Sequence, residues 1–221
     1  MNSVNGLIIS AGYSSRMNHF KPLMEYQGMP FLLNIILKIF PVCKDIMIVT
    51  GYRSEEVHQE IDLLLSGKPK INWLKTTTFL PEDWGRIRNN ISYAFNPDFK
   101  YGMFSSLQTG LREETQSDWT LYHFVDQPQI PAPFYPEFIQ QINNNVDLIQ
   151  PRFEGKRAHP ILFNQKVKQL ILDATGDQNL KLILQNKPLK KKYWDCSYPE
   201  ILIDFDTPAD LLQVGASHES I

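Results

Sequence analysis

The chain alternates short, wholly apolar runs with longer stretches in which apolar residues recur every three or four positions. Val4 to Ile9 and Ile46 to Thr50 are rich in β-branched residues with little polar alternation, the pattern of strands buried on both faces. Phe31 to Phe40 (F-L-L-N-I-I-L-K-I-F) reads as a strongly apolar helix with Asn34 and Lys38 on its polar stripe, and Pro41 ends it. Ser54 is the expected N-cap of a second helix through Leu65, with Glu55 and Glu56 where the helix dipole favours acids. Strand, helix, strand, helix with fully apolar strands predicts an α/β fold: a mostly parallel sheet covered by helices on both faces.

The same reading continues along the chain. Helices are expected over Gly102 to Leu111, Pro133 to Asn143, Asn164 to Leu172 and Asn179 to Leu184, and buried strands over Trp119 to Val125 and Leu148 to Gln150. Pro151 to Phe163 reads as a β-hairpin with Gly155 at its tip and His159 and Pro160 on the returning arm, and Ile201 to Phe205 as the last core strand. Between Lys68 and Asn90 the pattern weakens to at best a third strand in K-P-K-I-N-W-L. This excursion, with Trp73, Trp84, Arg86 and Arg88, is either a binding loop or an edge flap that packs its aromatics onto the surface. Lys190 to Lys192 reads as a solvated edge. One domain over 1–214 with a frayed tail from 215 accounts for the whole.

Composition narrows the classes. A chain of 221 residues with 43% hydrophobic content suffices for one large core. Lys+Arg 22 against Asp+Glu 24 leaves a net charge of -2, which offers no bulk attraction to nucleic acid or an anionic membrane. Cys43 and Cys196 follow no metal-ligand spacing and read as reduced thiols. No basic-then-apolar leader and no membrane-length apolar run is present, so a soluble, cytoplasmic protein is expected.

Candidate chemistry gathers at three points. Ser10, Ala11, Gly12, Ser14 and Ser15 follow the first strand as a small-residue turn whose amides suit an anion, and Arg16 and Lys21 supply counter-charge for phosphates. Spacing alone fits an ordinary strand-to-helix turn equally well, and neither a Walker loop nor G-x-G-x-x-G is present. Ser105 and Ser106 open a helix, where they would meet a nucleotide or simply cap. Asp126 ends a buried strand, at the edge where open α/β sheets bind ligands, although such an Asp is often only a turn former. Asp206 stands just outside the helix start formed by Thr207 and Pro208. Two such carboxylates facing one crevice would hold Mg²⁺. H-E-x-x-H, G-x-S-x-G and paired C-x-x-C are all missing, and the five histidines are scattered, which leaves zinc-hydrolase and serine-hydrolase readings without support.

Five segments in order resemble the MobA-like nucleotidyltransferases, the molybdenum-cofactor cytidylyltransferase branch in particular. I-S-A-G-Y-S-S-R-M-N-H-F-K (Ile9 to Lys21) resembles the family's L-A-A-G-x-S-x-R-M-G-x-x-K. N-P-D-F-K-Y-G-M-F-S-S-L-Q-T-G-L (Asn96 to Leu111) is similar to its N-P-x-[FW]-x-x-G-M-x-x-S-L-x-x-G-L, the most specific match. V-D-Q-P (Val125 to Pro128), A-H-P-I-L-F (Ala158 to Phe163) and D-F-D-T-P-A-D (Asp204 to Asp210) follow G-D-Q-P, G-H-P-[VI]-x-F and D-x-D-T-P-x-D. The resemblance implies a nucleotide-diphosphate-sugar-transferase-like, Rossmann-like fold and Mg²⁺ held by Asp126 and Asp206. It implies transfer of NMP from an NTP, CTP slightly ahead of GTP, to a phosphorylated small molecule such as molybdopterin, with Arg16 and Lys21 stabilising the leaving pyrophosphate. His159, with Gln127, would face the acceptor. Ser10, Asn18, Val125 and Ala158 depart from the family's small residues, and Lys181 stands where G-D-x-G-x-R has Arg. These departures bear on the acceptor, so a sugar- or alditol-phosphate nucleotidyltransferase and a non-catalytic nucleotide-binding regulator stay open.

Overall fold

The computed structural model describes residues 2–13, 20–67, 70, 73, 84–175, 178–207 and 210. In chain order the strands are β1 (Val4–Ser10), β2 (Glu25–Tyr26), β3 (Met29–Pro30), β4 (Ile46–Thr50), β5 (Ile91–Phe95), β6 (Trp119–Phe124), β7 (Leu148–Phe153), β8 (Lys156–Arg157), β9 (Ile161–Asn164) and β10 (Lys191–Asp195). The helices are α1 (Phe31–Ile39), α2 (Ser54–Ser66), α3 (Trp84–Ile87), α4 (Met103–Glu113), α5 (Phe134–Ile139), α6 (Gln165–Leu172) and α7 (Leu180–Asn186).

The main sheet runs β10-β7-β9-β6-β1-β4-β5, with β8 folded back on β7, and β2 and β3 pair as a separate two-stranded antiparallel sheet. Every pair along it is parallel except those made by β9 and β8. Side chains of the central strands alternate between two apolar layers. Ile8, Ile46, Ile48 and Leu121 pack on one face with α1 and α5, and Leu7, Ile9, Val49 and Tyr122 on the other with α4 and α6. Gly110 lets α4 lie against the sheet, since a Cβ there would stand 2.5 Å from Leu7 and Val49. This is the mostly parallel α/β sheet with helices on both faces and a hairpin edge that the apolar pattern predicts.

Several local expectations are corrected. Asn34 and Lys38 are not on a solvated stripe but are 0% and 4% exposed. The reason is coverage: Lys38 Nζ donates to Pro128 O at 2.5 Å, and Phe205 packs on Phe31 with ring centroids 5.5 Å apart. Ile201 to Phe205 is not a strand; Pro199–Leu202 forms a 3₁₀ turn and the following residues run extended across the loop after β6. The edge strand β5 begins just after the Lys68–Asn90 excursion, at residues given no element by the sequence pattern, and β10 takes in most of the charged run Lys190 to Lys192. The helix after Pro133 stops at Ile139 rather than Asn143, and α2 starts at Ser54 after Arg53, whose φ is 54. Within the excursion, Trp73 and Trp84 are buried and stacked at 6.2 Å, and their indoles donate to Gly28 O and Gly67 O. They enter the core instead of coating the surface. The weak strand expected near residues 68–74, apart from Lys70 and Trp73, and the tail from 215 lie outside the described residues. No helix among the described residues is long and apolar enough to cross a membrane.

Candidate active site

The site forms at the C-terminal edge of the parallel strands, where β1 gives way to Ala11 and Gly12. Ala11 O accepts a bond from Tyr52 N at 3.1 Å, which ties this turn to the end of β4. Gly51 makes the approach possible, because a Cβ there would sit 2.7 Å from Ala11 O and from Phe99. Among the described residues nothing lies within 4 Å of a would-be Cβ at Gly12, so none of them blocks a ligand from its backbone. Ser10, by contrast, is 2% exposed and its hydroxyl is buried without a partner among the described residues. Its backbone, not its side chain, is what reaches the edge. Ser14, Ser15 and Arg16 lie outside the described residues.

Three groups from distant parts of the chain converge there. Lys21, in the short 3₁₀ turn Lys21–Leu23, places Nζ 2.7 Å from Asp206 Oδ1 and 3.5 Å from Asp126 Oδ2. The ammonium is largely shielded from solvent, so this Coulomb attraction is less screened than at a free surface. Burial is the main reason the Asp126 carboxyl is pushed up to about 6; Lys21 opposes that rise, and Asp204 and Asp206 add to it. Asp204 is raised for the same first reason, burial, with Asp206 next. Asp126 Oδ1 is buried with no hydrogen-bond partner among the described residues, an oxygen suited to a ligand. No group of three or more His, Cys, Asp or Glu side chains among the described residues makes a ready-made metal cage. Two carboxylates and an orphaned oxygen beside the Gly12 turn suit a hard cation that takes its remaining ligands from phosphates and water.

Gln127 is corrected in placement: it does not face an acceptor but is 2% exposed, its amide donating to Ile201 O at 3.2 Å and Asp204 Oδ1 at 2.9 Å. Gln129, which sequence reasoning missed, donates to Glu200 O and Ile203 O. Phe205 N completes the strap on Asp126 O at 3.0 Å. The two amides thereby replace a neighbouring strand as partners of the 200–204 backbone. The signal was available in Q-P-Q-I-P: polar amides inside an apolar stretch must find partners when buried.

Ser106 is likewise buried, and with Ser105 it accepts from Asn96 Nδ2, at 2.9 and 3.0 Å. Ser105 also lines a cavity of about 1200 Å³ between α4, the sheet and α7. Phe124, Arg157, His159, Lys181 and Tyr193 form other parts of its wall. His159 packs tilted against Phe124 at 4.4 Å and edge-on to Tyr122 at 5.6 Å, and burial pushes its imidazole down to about 4. Its Nδ1 has no hydrogen-bond partner among the described residues. His159 is thus a neutral ring in the cavity at ordinary pH. Of the candidates from sequence, Lys21, Asp126, Asp206 and the Ala11–Gly12 turn come together, His159 and Ser105 line the neighbouring cavity, and Gln127, Ser106 and the Ser10 hydroxyl are structural.

Residues 6–192 match the family described as MobA-like NTP transferase domain. A molybdenum cofactor cytidylyltransferase of Escherichia coli is 24% identical over 222 residues, covering 100% of both chains. A molybdenum cofactor guanylyltransferase of Vibrio parahaemolyticus is 22% identical, covering 95% of this chain and 93% of that protein. Among solved structures, a nucleotidyl transferase from Methanothermobacter superposes with a TM-score of 0.72 at 14% identity, covering 98% of each chain. A 4-diphosphocytidyl-2C-methyl-D-erythritol synthase from Anaerococcus prevotii gives 0.68 at 15%, covering 99% of this chain and 96% of that one.

Proposed function

The chain belongs to the MobA-like NTP transferase family, and on that premise we propose that it transfers a nucleoside monophosphate from CTP, with GTP the rival donor, to a phosphorylated small molecule of the molybdopterin kind, releasing pyrophosphate. The observation that carries the reading is the meeting of Lys21 with Asp126 and Asp206 beside the Gly12 turn.

In this reading the backbone of Ala11 and Gly12 receives the triphosphate, and Lys21, with Arg16 from the same segment, stabilises charge on the departing pyrophosphate. Asp126 and Asp206 would hold Mg²⁺, which supplies charge neutralisation for the α-phosphate oxygens. No side chain need act as a covalent nucleophile, because the acceptor brings its own phosphate oxygen. The chain's work is positioning. The cavity walled by Phe124, His159 and Tyr193 suits a flat acceptor, and Arg157 and Lys181 suit its phosphate.

The test is pyrophosphate release measured with each of four NTPs against a panel containing molybdopterin and several sugar and alditol phosphates, with Mg²⁺. Turnover with CTP and molybdopterin is the expected result. Turnover with an alditol phosphate instead would move the acceptor, and no turnover with any pair would overturn the reading.

A further inference from the structure

A lysine in the middle of an apolar helix is costly unless its charge is put to use, since a buried ion loses hydration that the interior repays only with good partners. Lys38 is such a residue. It is 4% exposed within α1, flanked by Ile35, Ile36, Leu37 and Ile39, all 0% exposed. Its Nζ meets one acceptor among the described residues, Pro128 O, at 2.5 Å, in the loop that begins with Asp126. The opposite charge that acts on it is Glu200, in the strap that leads to Asp204 and Asp206. Glu200 Oε2 is itself buried without a partner among the described residues, and Glu200 O is held by Gln129 from the same loop as Pro128.

We propose that Lys38 is a positioning residue: from the back of the site it draws together the two segments that carry Asp126 and Asp206, and so fixes the separation of the carboxylates. This rests on the reading that those carboxylates bind a divalent cation. Burial pushes the ammonium down to about 7 against the pull of Glu200, so the attraction to Glu200 fades as pH rises through that value, while the donation to Pro128 O needs only the amine. The other titratable group it meets electrostatically is His123 on β6, which burial holds neutral, down to about 3, with its Nε2 on the Tyr135 hydroxyl. A leucine or methionine would fill the same volume more cheaply. What it would lose is the tie to Pro128 O and the attraction to Glu200.

The test is Mn²⁺ binding to the full chain without nucleotide, followed by the amplitude of the free-ion paramagnetic resonance signal, on wild type, Lys38→Met, Lys38→Arg and Glu200→Gln. Lys38→Met should bind Mn²⁺ about tenfold more weakly, the scale seen when groups that orient metal ligands are removed. Lys38→Arg, which keeps charge and donors, should recover most of that loss. Lys38→Met that melts cooperatively yet binds Mn²⁺ as wild type does would overturn the proposal. If Lys38→Met does not fold, Glu200→Gln carries the test: weaker Mn²⁺ binding supports the proposal, and unchanged binding overturns it. Failure of the wild-type chain to bind Mn²⁺ would overturn the metal reading itself, an outcome distinct from a wild type that binds and variants that match it.

Discussion

The backbone N–H of Phe205 donates to the carbonyl of Asp126 at 3.0 Å, so the two acid-bearing segments touch through main chain before any side chain is considered. Gln127 and Gln129 repeat the tie on either side of Pro128. The carboxylates are therefore held close although burial and mutual repulsion both oppose it, and Lys21 offsets part of that opposition.

Removing that offset has a defined result. Lys21→Ala should lower turnover about 100-fold, the scale for losing one preorganised electrostatic partner of developing charge. It should also raise the Asp126 titration above about 6, because the group that opposes the rise is gone. The pH dependence of Mn²⁺ binding measures that shift directly.

Asp126 sets stability and function against each other. Its folded value of about 6 lies above the ordinary 3.8, so between those values the folded state binds more protons than the unfolded one. Its contribution therefore falls as pH rises from about 4 to about 6, by up to about 3 kcal/mol. His123 and His159, lowered by burial, act in the opposite direction, so the difference between wild type and Asp126→Asn isolates the term. Asp126→Asn should melt at higher temperature than wild type at pH 8 and draw level near pH 4. Over the same range wild-type metal binding should strengthen as pH climbs through about 6, and Asp126→Asn should lack this rise.

Gly51→Ala tests the turn without touching a charge. The new Cβ would press on the Ala11 carbonyl and the Phe99 ring, both at 2.7 Å. Overpacking of this kind costs about 1–3 kcal/mol. Because one of the two neighbours is backbone of the phosphate turn, calorimetry should show weaker NTP binding along with the lower melting temperature.

Arg157→Ala should separate donor from acceptor. Arg157 is exposed on β8 and lies over the Tyr193 ring at 5.6 Å on the cavity wall. Loss of one charged hydrogen bond to a phosphate is worth about 1.5–3 kcal/mol, so the acceptor KM should rise about tenfold or more. The KM for NTP should stay where it was.

The parts of the molecule legible in the sequence were those where local pattern and tertiary environment agree. β1, β4 and β6 are apolar runs because both faces are covered, and Asn164 caps α6 as its position suggests, accepting from Lys166 N and Val167 N. β10 was hidden because an edge strand tolerates Lys191 and Lys192, and β5 because Ser92 and Tyr93 interrupt its apolar run next to an irregular segment. Periodicity gave α1 a wet side because Asn34 and Lys38 are polar. Only contacts from far along the chain, the loop at Pro128 on Lys38 and Phe205 on Phe31, show that side to be dry. At the site, single-residue chemistry marked Lys21, Asp126 and Asp206 as worth examining. It could not show that Gln127 points at Asp204, since a glutamine's partners are set by packing and not by its neighbours in sequence.

β9 runs against β6 and β7, and this reversal has a consequence for how the protein can change. It brings His159, just before β9, to the same sheet edge where β6 ends near Asp126, yet the hairpin of β7, β8 and β9 approaches from the opposite flank to β1 and β4. The hairpin thus adds Arg157 and His159 to a cavity wall that Ser105, Phe124, Lys181 and Tyr193 complete, and on the proposed function this acceptor side is separate in sequence from the Ala11–Gly12 turn. Exchange of that hairpin between relatives offers a way to graft new acceptor preference onto an unchanged phosphate turn.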